Sequence, residues 1–467
     1  MSRIKPVFDR DRESYQLMEK MLRGELSRRE FLARTSVLAA GVPVAGALLS
    51  SPARGASRPG AGAGGRSHAA VSGAISTIAN TGAGAESAAW NKRIDDFIAL
   101  NPDVTVERIE QVGQTFYALL PTVQTMIAGG TAPDTLRVGN YSAALFATRD
   151  ALLPLDDFIK NDPDVDFDDF YQGAQDAFKV DGKIYALPEN GESYGINYNA
   201  TAFQEKGLPD PREQWDAGEW TQDAFLAAAK ALTEGEGPEK KFGFLYETWN
   251  SENWIFFQGG KVLDDDLTTV RIDEDPAIAG LRYAADLVNV HGVAPNAAEL
   301  AGRPPVDLFQ NGIARMYMLG GWYIANFVEG IKDWEYKTVG APIGPGGKTS
   351  KLEISGYAIT KDSKNPEAAW EFIKYITGPA GQKTWSTVGT PTRNSSLADF
   401  IATSPYAEWF KPFVEVLTNV QHTPFFGKSA EIADALARGQ DPIFLGQADA
   451  ADACKAMAEE MRAILAG

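Results

Sequence analysis

The stretch AISTIANTGAGAESAAWNKRIDDFIALNPDVTV, residues 74–106, decides the class of fold. Its start mixes small and β-branched residues, which favours a strand, and its middle places Trp90, Ile94 and Phe97 on one face of a helix. An Asn-Pro-Asp sequence at 101–103 ends that helix. The same order then repeats. The predicted elements are strands at 74–79, 104–106 and 134–138 and helices at 86–100 and 116–128. This βαβαβ order predicts an α/β sheet with ligands at the carboxyl ends of its strands.

A second group of elements is predicted further along the chain. Its strands are at 182–188, 194–198, 314–319 and 357–360, and its helices are at 221–232, 275–290 and 366–377. A chain of 467 residues is too long for one ordinary core, so two or more packed units are expected. Pro/Gly clusters at 342–347 and 389–391 are predicted to be places where the chain crosses between these units.

The charge of the chain restricts its partners. The sequence has 44 Lys/Arg and 62 Asp/Glu, a formal net charge of -18. Binding nucleic acid depends on Lys/Arg that displace phosphate counterions, so nucleic acid is not an expected partner, nor is an anionic membrane surface. The one cysteine, Cys454, leaves no internal disulfide, and its helical spacing with Met457 and Met461 predicts a buried position.

The first 56 residues differ from the rest. Ser27-Arg-Arg-Glu-Phe-Leu32 is a twin-arginine pattern, and it is followed by an uncharged stretch over 35–49 and small residues over 50–56. This order predicts a twin-arginine signal peptide over 1–56, and the apolar stretch is shorter than the roughly 20 residues a membrane span needs. Residues 57–70 are predicted to be a flexible linker. Since no cysteine follows the apolar stretch closely, a lipoprotein is not expected; the expected location is the periplasm or the extracytoplasmic face.

Four segments carry a family resemblance: 101–138 (NPDVTV…IAGGTAPDT), 181–199 (DGKIYALP…NYN), 318–322 (MLGGW) and 356–373 (GYAI…NPEAAWEFI). In this order and spacing they resemble the extracellular solute-binding proteins of carbohydrate ABC transporters, the group that includes maltose-binding protein. The resemblance covers nearly all of residues 71–467. It implies a binding protein that captures a sugar or oligosaccharide and delivers it to ABC transporter permease subunits.

The resemblance also implies an architecture. We expect an α/β fold of the periplasmic-binding-protein type II, with two hinge-linked lobes and the ligand in the cleft between them. One lobe is placed at 71–187 plus 342–390, and the other at 188–341 plus 391–467. Closure around a ligand would be a hinge motion between these lobes.

A sugar site needs aromatic side chains for the C–H faces of the ring and polar or charged groups for its hydroxyls. Hydrogen bonds to charged groups contribute ~1.5–3 kcal/mol each, against ~0.5–1.5 kcal/mol for neutral ones. In the first lobe, Asn80, Gly82 and Glu86 follow the first strand and open a helix, whose N–H groups can bind a ligand oxygen. A plain strand-to-helix loop is the alternative. Asn140 and Tyr141 are placed at the end of the third strand, where such proteins present polar or aromatic residues.

The remaining candidates lie in later segments. Glu192 matches a sugar-binding carboxylate of the family, and Glu189 competes with it; a solvated loop carboxylate is the alternative for each. Trp249 and Asn253 belong to the segment 247–254, which is dense in Trp, amides and carboxylates.

Three further residues complete the candidate ligand contacts. Trp322 follows the Gly-Gly turn, where the family has an aromatic residue that faces the cleft. Tyr357 ends a Ser-Gly-Tyr turn. Arg393 could bind a hydroxyl or an anionic group, or form a salt bridge at the hinge.

Other classes of protein remain open at this stage. A binder of glycerol phosphodiester, polyamine, peptide or ferric ion is one alternative, and a sensory partner of a receptor kinase is another. A secreted carbohydrate enzyme would need two carboxylates ~5–10 Å apart in a cleft, which Glu189, Glu192, Glu247 and Glu252 could supply. The crossing pattern favours a binder, so we expect no catalysis, no cofactor, no metal and a monomeric chain.

Overall fold

A computed structural model describes residues 72–466 apart from 83, 113–115, 422–425 and 427. The predicted signal peptide over 1–56 and the linker over 57–70 lie outside the described residues. The strands of the described part are β1 Gly73–Thr81, β2 Val104–Val112, β3 Thr135–Gly139, β4 Lys179–Val180, β5 Lys183–Ile184, β6 Leu187–Asn199, β7 Met316–Gly320, β8 Tyr336–Gly340, β9 Ser350–Ile359 and β10 Val420–Gln421.

Helices cover the strands and fill the connections between them. They are α1 Ala85–Leu100, α2 Phe116–Ala128, α3 Asn140–Thr148, α4 Asp156–Asn161, α5 Gln172–Asp176, α6 Ala200–Glu205, α7 Pro211–Ala217, α8 Gln222–Leu232, α9 Glu252–Phe257, α10 Asp275–Asn289, α11 Ala297–Leu300, α12 Pro305–Gln310, α13 Ile324–Gly330, α14 Pro366–Thr377, α15 Pro379–Trp385, α16 Asn394–Thr403, α17 Ala407–Glu415, α18 Ser429–Phe444 and α19 Ala450–Ala466. Short 3-10 helices occur at Pro163–Val165, Phe167–Asp169, Gly237–Glu239, Thr248–Asn250, Gly321–Tyr323 and Val416–Asn419. None of the helices described here has both the length and the apolarity of a membrane span.

The main sheet is mixed, and its strand order is β2-β1-β3-β9-β6-β7. β1 pairs in parallel with β2 and β3, as the βαβαβ prediction requires. β9 is antiparallel to both β3 and β6. The predicted strand–helix–strand order of residues 74–138 is therefore confirmed, and its parallel strands form one end of the sheet.

β6 is the strand that joins the two ends of this sheet. Its first half, 187–193, pairs with β9, whereas its second half, 194–199, pairs with β7 and β8. All thirteen of its residues are buried, which suits a strand that is covered on both faces. β6 therefore pairs with strands at both ends of the sheet.

Distinct apolar cores pack on the two ends of the sheet. One core packs α1 and α14 around Ile75, Trp90 and Phe372. A larger core packs α8, α9, α10, α18 and α19 around residues such as Trp254, which is fully buried. Cys454 belongs to the larger core and is fully buried, which confirms its predicted position.

One predicted strand is longer in the structure. The strand predicted at 357–360 begins at Ser350, and its first half carries the charged residues Lys351 and Glu353. The Pro/Gly cluster at 342–347 packs on the end of α9, where the Gly346 N–H donates to Phe257 O at 2.9 Å. The other cluster runs beside β6, since the Gly191 N–H donates to Thr390 O at 3.0 Å.

Candidate functional site

The candidate site lies where β6 changes partners. Glu192 is opposite Glu353 on β9, and Tyr194 is opposite Gly320 on β7. Alternate residues of a strand share one face, and directly opposed residues of an antiparallel pair do so as well. Glu192, Tyr194 and Glu353 therefore lie on one face of the sheet. This face borders residues 320–323, which end β7 and are called the cleft turn below.

Three aromatic rings form the centre of the site. The ring centroids of Trp249 and Trp322 are 6.3 Å apart at an interplanar angle of 33°. Tyr194 contacts both, at 5.6 Å from Trp322 and 6.0 Å from Trp249. Trp249 is 45% exposed, Trp322 is half-buried and Tyr194 is fully buried. The two tryptophans thus offer accessible ring surface supported by a buried tyrosine, a surface suited to packing against C–H groups.

The two glycines of the cleft turn leave no room for side chains. A Cβ atom at Gly320 would lie 1.8 Å from the ring of Trp322, which folds back over the turn. A Cβ atom at Gly321 would lie 2.4 Å from Glu192 Oε2 and 2.7 Å from Phe410. The Gly-Gly pair therefore lets the indole pack back onto its own backbone and lets the turn approach β6.

Glu247 fixes the loop that carries Trp249. Its carboxylate accepts hydrogen bonds from the Trp249 indole N–H and, at 3.1 Å, from the Tyr317 hydroxyl. Burial and the neighbouring charge of Glu247 raise the pKa of Tyr317, so this hydroxyl remains a donor. The exposed indole is thereby held by a carboxylate that is itself anchored on β7.

A charged cluster continues from this loop onto β9. Lys351 Nζ lies 2.7 Å from Glu252 and 2.8 Å from Glu353. The Tyr194 hydroxyl donates to Glu353 at 3.4 Å, which joins the cluster to the aromatic centre. The predicted contact Asn253 is fully buried, and its Oδ1 accepts the backbone N–H of Lys351 at 2.8 Å. Asn253 thus positions β9 and offers no exposed surface.

The first turn of α1 contributes a carboxylate close to the end of β1. Glu86 accepts the backbone N–H of Gly82 at 2.6 Å and the Arg137 guanidinium at 3.0 Å. Arg137 also donates to the carbonyl of Asn80 at 2.7 Å. The N–H of Gly82, predicted for a ligand oxygen, is thus taken by Glu86, whose side chain is 26% exposed.

Tyr323, in the cleft turn, is half-buried. Burial raises its pKa, and the charges of Glu247 and Glu86 add to the shift. The charges of carboxylates on α1 and on the loop that carries Trp249 therefore both act on the Tyr323 hydroxyl.

Three further predicted contacts, like Asn253, lie in the protein interior. Glu189 is fully buried between Arg93, at 2.6 Å, and Arg137, at 2.7 Å. The Tyr357 hydroxyl is buried and accepts the Trp90 indole N–H at 2.9 Å. Arg393 is buried as well, and its Nη1 lies 3.6 Å from Asp169 Oδ2, so it forms an ion pair there. Its guanidinium also donates to the carbonyls of Val165, Asp166 and Thr377 at 2.7–3.0 Å.

The sequence predicted that Asn140 and Tyr141 end the third strand, and this prediction is wrong. β3 ends at Gly139, and both residues begin α3. Asn140 is buried, and its Oδ1 accepts the N–H of Tyr141 at 3.0 Å. Burial raises the pKa of Tyr141, and nearby Glu431 and Asp434 on α18 add to it. Helix α3, which carries Tyr141, packs against α18.

Sequence reasoning missed four residues of the site as contacts: Tyr194, Glu247, Lys351 and Glu353. Glu247 lies in the segment 247–254, which is dense in Trp and carboxylates, but only Trp249 and Asn253 of this segment were predicted to contact the ligand. The alternation of Lys351 and Glu353 was a usable signal for a strand with one polar face. Across the described residues, no group of three His, Cys, Asp or Glu side chains is arranged to hold a metal ion.

Comparison with known proteins identifies the family. A family model described as bacterial extracellular solute-binding protein matches residues 82–383, about two thirds of the chain. The chain belongs to this family. The predicted resemblance is thereby confirmed, and the two-lobed α/β fold of solute-binding proteins, with its cleft, is the fold of this chain.

Individual relatives of this solute-binding protein are distant in sequence. A putative binding protein of Brucella abortus is 23% identical over 384 residues, which are 79% of this chain and 88% of the relative. The galactooligosaccharide-binding protein of Bacillus subtilis is 26% identical over 269 residues, 55% of this chain and 58% of the relative. The structure of an ABC substrate-binding protein from Listeria monocytogenes in complex with cycloalternan superimposes with a TM-score of 0.75 at 24% identity, covering 84% of this chain and 98% of the other.

Proposed function

We propose that this solute-binding protein captures a sugar or oligosaccharide outside the cytoplasm, delivers it to the permease of an ABC transporter and catalyses no reaction. The observation that carries the proposal is the exposed Trp249 beside the half-buried Trp322, with Glu247 bound to the indole of Trp249. An aromatic surface edged by carboxylates is what the C–H face and the hydroxyls of a sugar ring require. The names of the Bacillus and Listeria relatives support this class of ligand.

We propose a smaller set of contacts than the sequence predicted. Trp249, Trp322, Glu86 and Glu247 border the site and retain some exposed surface. Asn80 and Gly82 act through their backbone, which positions Glu86. Among the buried candidates, Glu189, Asn253, Tyr357 and Arg393 support the architecture around the site, and Asn140 and Tyr141 belong to the contact between α3 and α18.

We propose that one lobe comprises residues 71–187 plus 342–390 and that the other comprises residues 188–341 plus 391–467. The chain would cross between the lobes in β6, β9 and the segment 389–391. The support is that β6 and β9 pair with each other and also with strands at opposite ends of the sheet. Both strands would twist when the lobes close.

A ligand screen tests the proposed function. Maltose, maltotriose, galacto-oligosaccharides, glycerophosphocholine and spermidine are each added at 1 mM, and the melting temperature of the protein is measured. A ligand present at 1,000 times its Kd stabilises the native state by ~4 kcal/mol, or roughly 5 °C for a chain of this size. We expect a sugar to give this shift; a shift with spermidine or glycerophosphocholine alone would contradict the sugar assignment. Conversion of any bound oligosaccharide to products during a long incubation would contradict the absence of catalysis.

We further propose that residues 1–56 direct export by the twin-arginine route, without a lipid anchor. The support is the Arg28-Arg29 pair before an uncharged stretch. The double substitution R28K/R29K is expected to leave the precursor in the cytoplasm, as measured by fractionation and immunoblotting. The matched control R34K changes an arginine outside the pair and should leave export intact. Normal export of the double variant would overturn the proposal.

A further inference from the structure

Glu247 has no positively charged partner in the part of the chain that the structure describes. Its oxygens accept the indole N–H of Trp249 and the hydroxyl of Tyr317, which are neutral donors, and no Lys, Arg or His side chain of this part forms an ion pair with it. Glu192 also accepts only neutral donors, but it is buried against Thr390. Glu247 is half-buried, so its charge reaches the edge of the aromatic centre.

The other carboxylates that border the site are paired with cations of the protein. Glu86 lies 3.0 Å from Arg137. Glu252 and Glu353 lie 2.7 and 2.8 Å from the same Lys351, so one positive charge serves two carboxylates. The negative charge around the aromatic centre is therefore only partly balanced by the protein.

The cations of this region are less accessible than the carboxylates. The side chains of Arg137 and Lys351 are 4% and 10% exposed, whereas those of Glu86 and Glu353 are 26% and 29% exposed. An anionic group of a ligand would therefore meet carboxylates before it met a guanidinium or an ammonium group. Like charges that approach each other away from bulk water repel strongly, so the site disfavours carboxylate and phosphate ligands.

The two indoles beside Glu247 favour a cation instead. Trp249 is 45% exposed, and its N–H is bound to Glu247, so the ring and the carboxylate are held together. The ring of Trp322 lies 6.3 Å from that of Trp249. A cation is attracted to the face of an aromatic ring, most strongly to that of Trp, and the attraction increases when water is excluded.

Closure of a cleft around a ligand would make the missing partner of Glu247 more costly. An ionised carboxylate that leaves water without a counter-charge is destabilised, and a cation that is buried with it offsets the cost. A neutral sugar supplies hydroxyl donors only. A sugar with an ammonium group supplies donors and a compensating positive charge together.

We propose that the ligand of this site is a cationic amino sugar, whose ammonium group lies against the carboxylate of Glu247 and the indole of Trp249. The inference rests on the proposed function, because it names the class of sugar that is bound. Glu247 is then the residue that determines this specificity. A hydrogen bond between charged groups is roughly twice as strong as a neutral one, so the amino sugar should bind about tenfold more tightly than the sugar with a hydroxyl in the same place.

The first test compares matched ligands on the full-length wild type by titration calorimetry at pH 6.5, where the amines are protonated. The parents are maltose, cellobiose and β-1,4-galactobiose, and each is compared with its 2-amino, 6-amino and 6-carboxylate derivatives on the non-reducing unit. We expect at least one amino derivative to bind about tenfold more tightly than its parent, and every carboxylate derivative to bind more weakly than its parent.

The possible failures of this test are distinguishable. If parents bind and no amino derivative binds more tightly than its parent, or if a carboxylate derivative binds as tightly as the amino one, the amino sugar is excluded while the sugar-binding function stands. If no sugar of any series binds, the proposed function fails and the inference fails with it.

The second test assigns the preference to Glu247. In E247Q the amide can still accept the indole N–H of Trp249 and contact the Tyr317 hydroxyl, but the charge is lost. The amino derivative and its parent should then bind with Kd values within about twofold of each other. The control E460Q removes an exposed carboxylate that pairs with Arg438 and should keep the wild-type ratio of the two Kd values. A ratio that survives in E247Q overturns the role of Glu247, since a plain hydrogen-bond acceptor would weaken both ligands alike.

A second variant covers the case in which E247Q does not fold. W249F keeps a ring at an exposed position but removes the N–H that binds Glu247, and Phe attracts cations less strongly than Trp. The ratio of the Kd values of parent and amino derivative should fall at least threefold in W249F. An unchanged ratio in W249F would contradict the placement of the ammonium group between Glu247 and Trp249.

Discussion

Replacing Glu189 by alanine is expected to lower the free energy of unfolding by about 3–5 kcal/mol. Glu189 is fully buried, and its carboxylate lies 2.6 Å from Arg93 and 2.7 Å from Arg137, both of which are also buried. Trp385 stacks against both guanidinium groups, at 4.0 and 4.6 Å. Removing the anion takes away the carboxylate paired with Arg93 and one of the two carboxylates paired with Arg137. Loss of one partner of a buried ion pair is strongly destabilising because it leaves buried charge uncompensated. Denaturant unfolding at pH 7 would measure the loss.

The pH dependence of the same variant offers a second measurement. Burial alone would raise the pKa of Glu189, but the charges of Arg137 and Arg93 outweigh it and hold the pKa below its ordinary value. The stability that Glu189 contributes is therefore present above its unfolded pKa and is lost as the pH falls through the folded value. The free energies of unfolding of the wild type and of E189A should accordingly converge at acidic pH. The control E460A removes an exposed ion pair with Arg438 and should cost no more than about 1 kcal/mol; an equal loss in E189A and E460A would contradict the prediction.

Replacing Trp322 by alanine is expected to weaken binding of the cognate sugar by about 2–3 kcal/mol, or 30- to 150-fold in Kd. The indole packs on Gly320 and on Tyr194 and lies beside the exposed ring of Trp249. Truncation would remove its own contact with the ligand and one side of the support for Trp249. Titration calorimetry with the sugar identified in the screen would measure the change.

A matched control separates this effect from a general loss of structure. Trp334 is also half-buried, and it packs against Phe309 at 5.3 Å, outside the proposed site. W334A should lower the melting temperature about as much as W322A while leaving the Kd within twofold. Unchanged affinity in W322A, or an equal loss in both variants, would exclude Trp322 as the principal ligand contact.

The order of elements could be predicted from the sequence because periodicity is a local property. Helix α2 was predicted with its observed bounds, and β1 and α1 to within a few residues. The first half of β9 was missed because Lys351 and Glu353 read as loop residues. Their burial depends on partners such as Glu252, which is distant in the chain.

The candidate contacts were harder to predict than the elements. Residue type identified Trp249 and Trp322, since large aromatic residues in glycine-rich or polar loops are unusual. Residue type could not show which of Glu189 and Glu192 lies on the face of the candidate site. The reason is that β6 has a register irregularity between Pro188 and Asn190, which breaks the period of two along the strand. Tyr357 and Arg393 have suitable chemistry but point into the core, a direction fixed only by pairing with distant strands and loops.

The contacts that hold the two indoles affect the entropy of binding. Trp322 is folded over Gly320, and Trp249 is bound through its N–H to Glu247, so neither ring is free to sample many rotamers before a ligand arrives. Immobilising a flexible side chain on binding costs ~0.5–1.5 kcal/mol. Two preorganised rings avoid most of this cost, so a ligand that buries little surface can still bind tightly. In the proposed mode of binding, the glycines of the cleft turn would raise affinity by holding the indole of Trp322 in place.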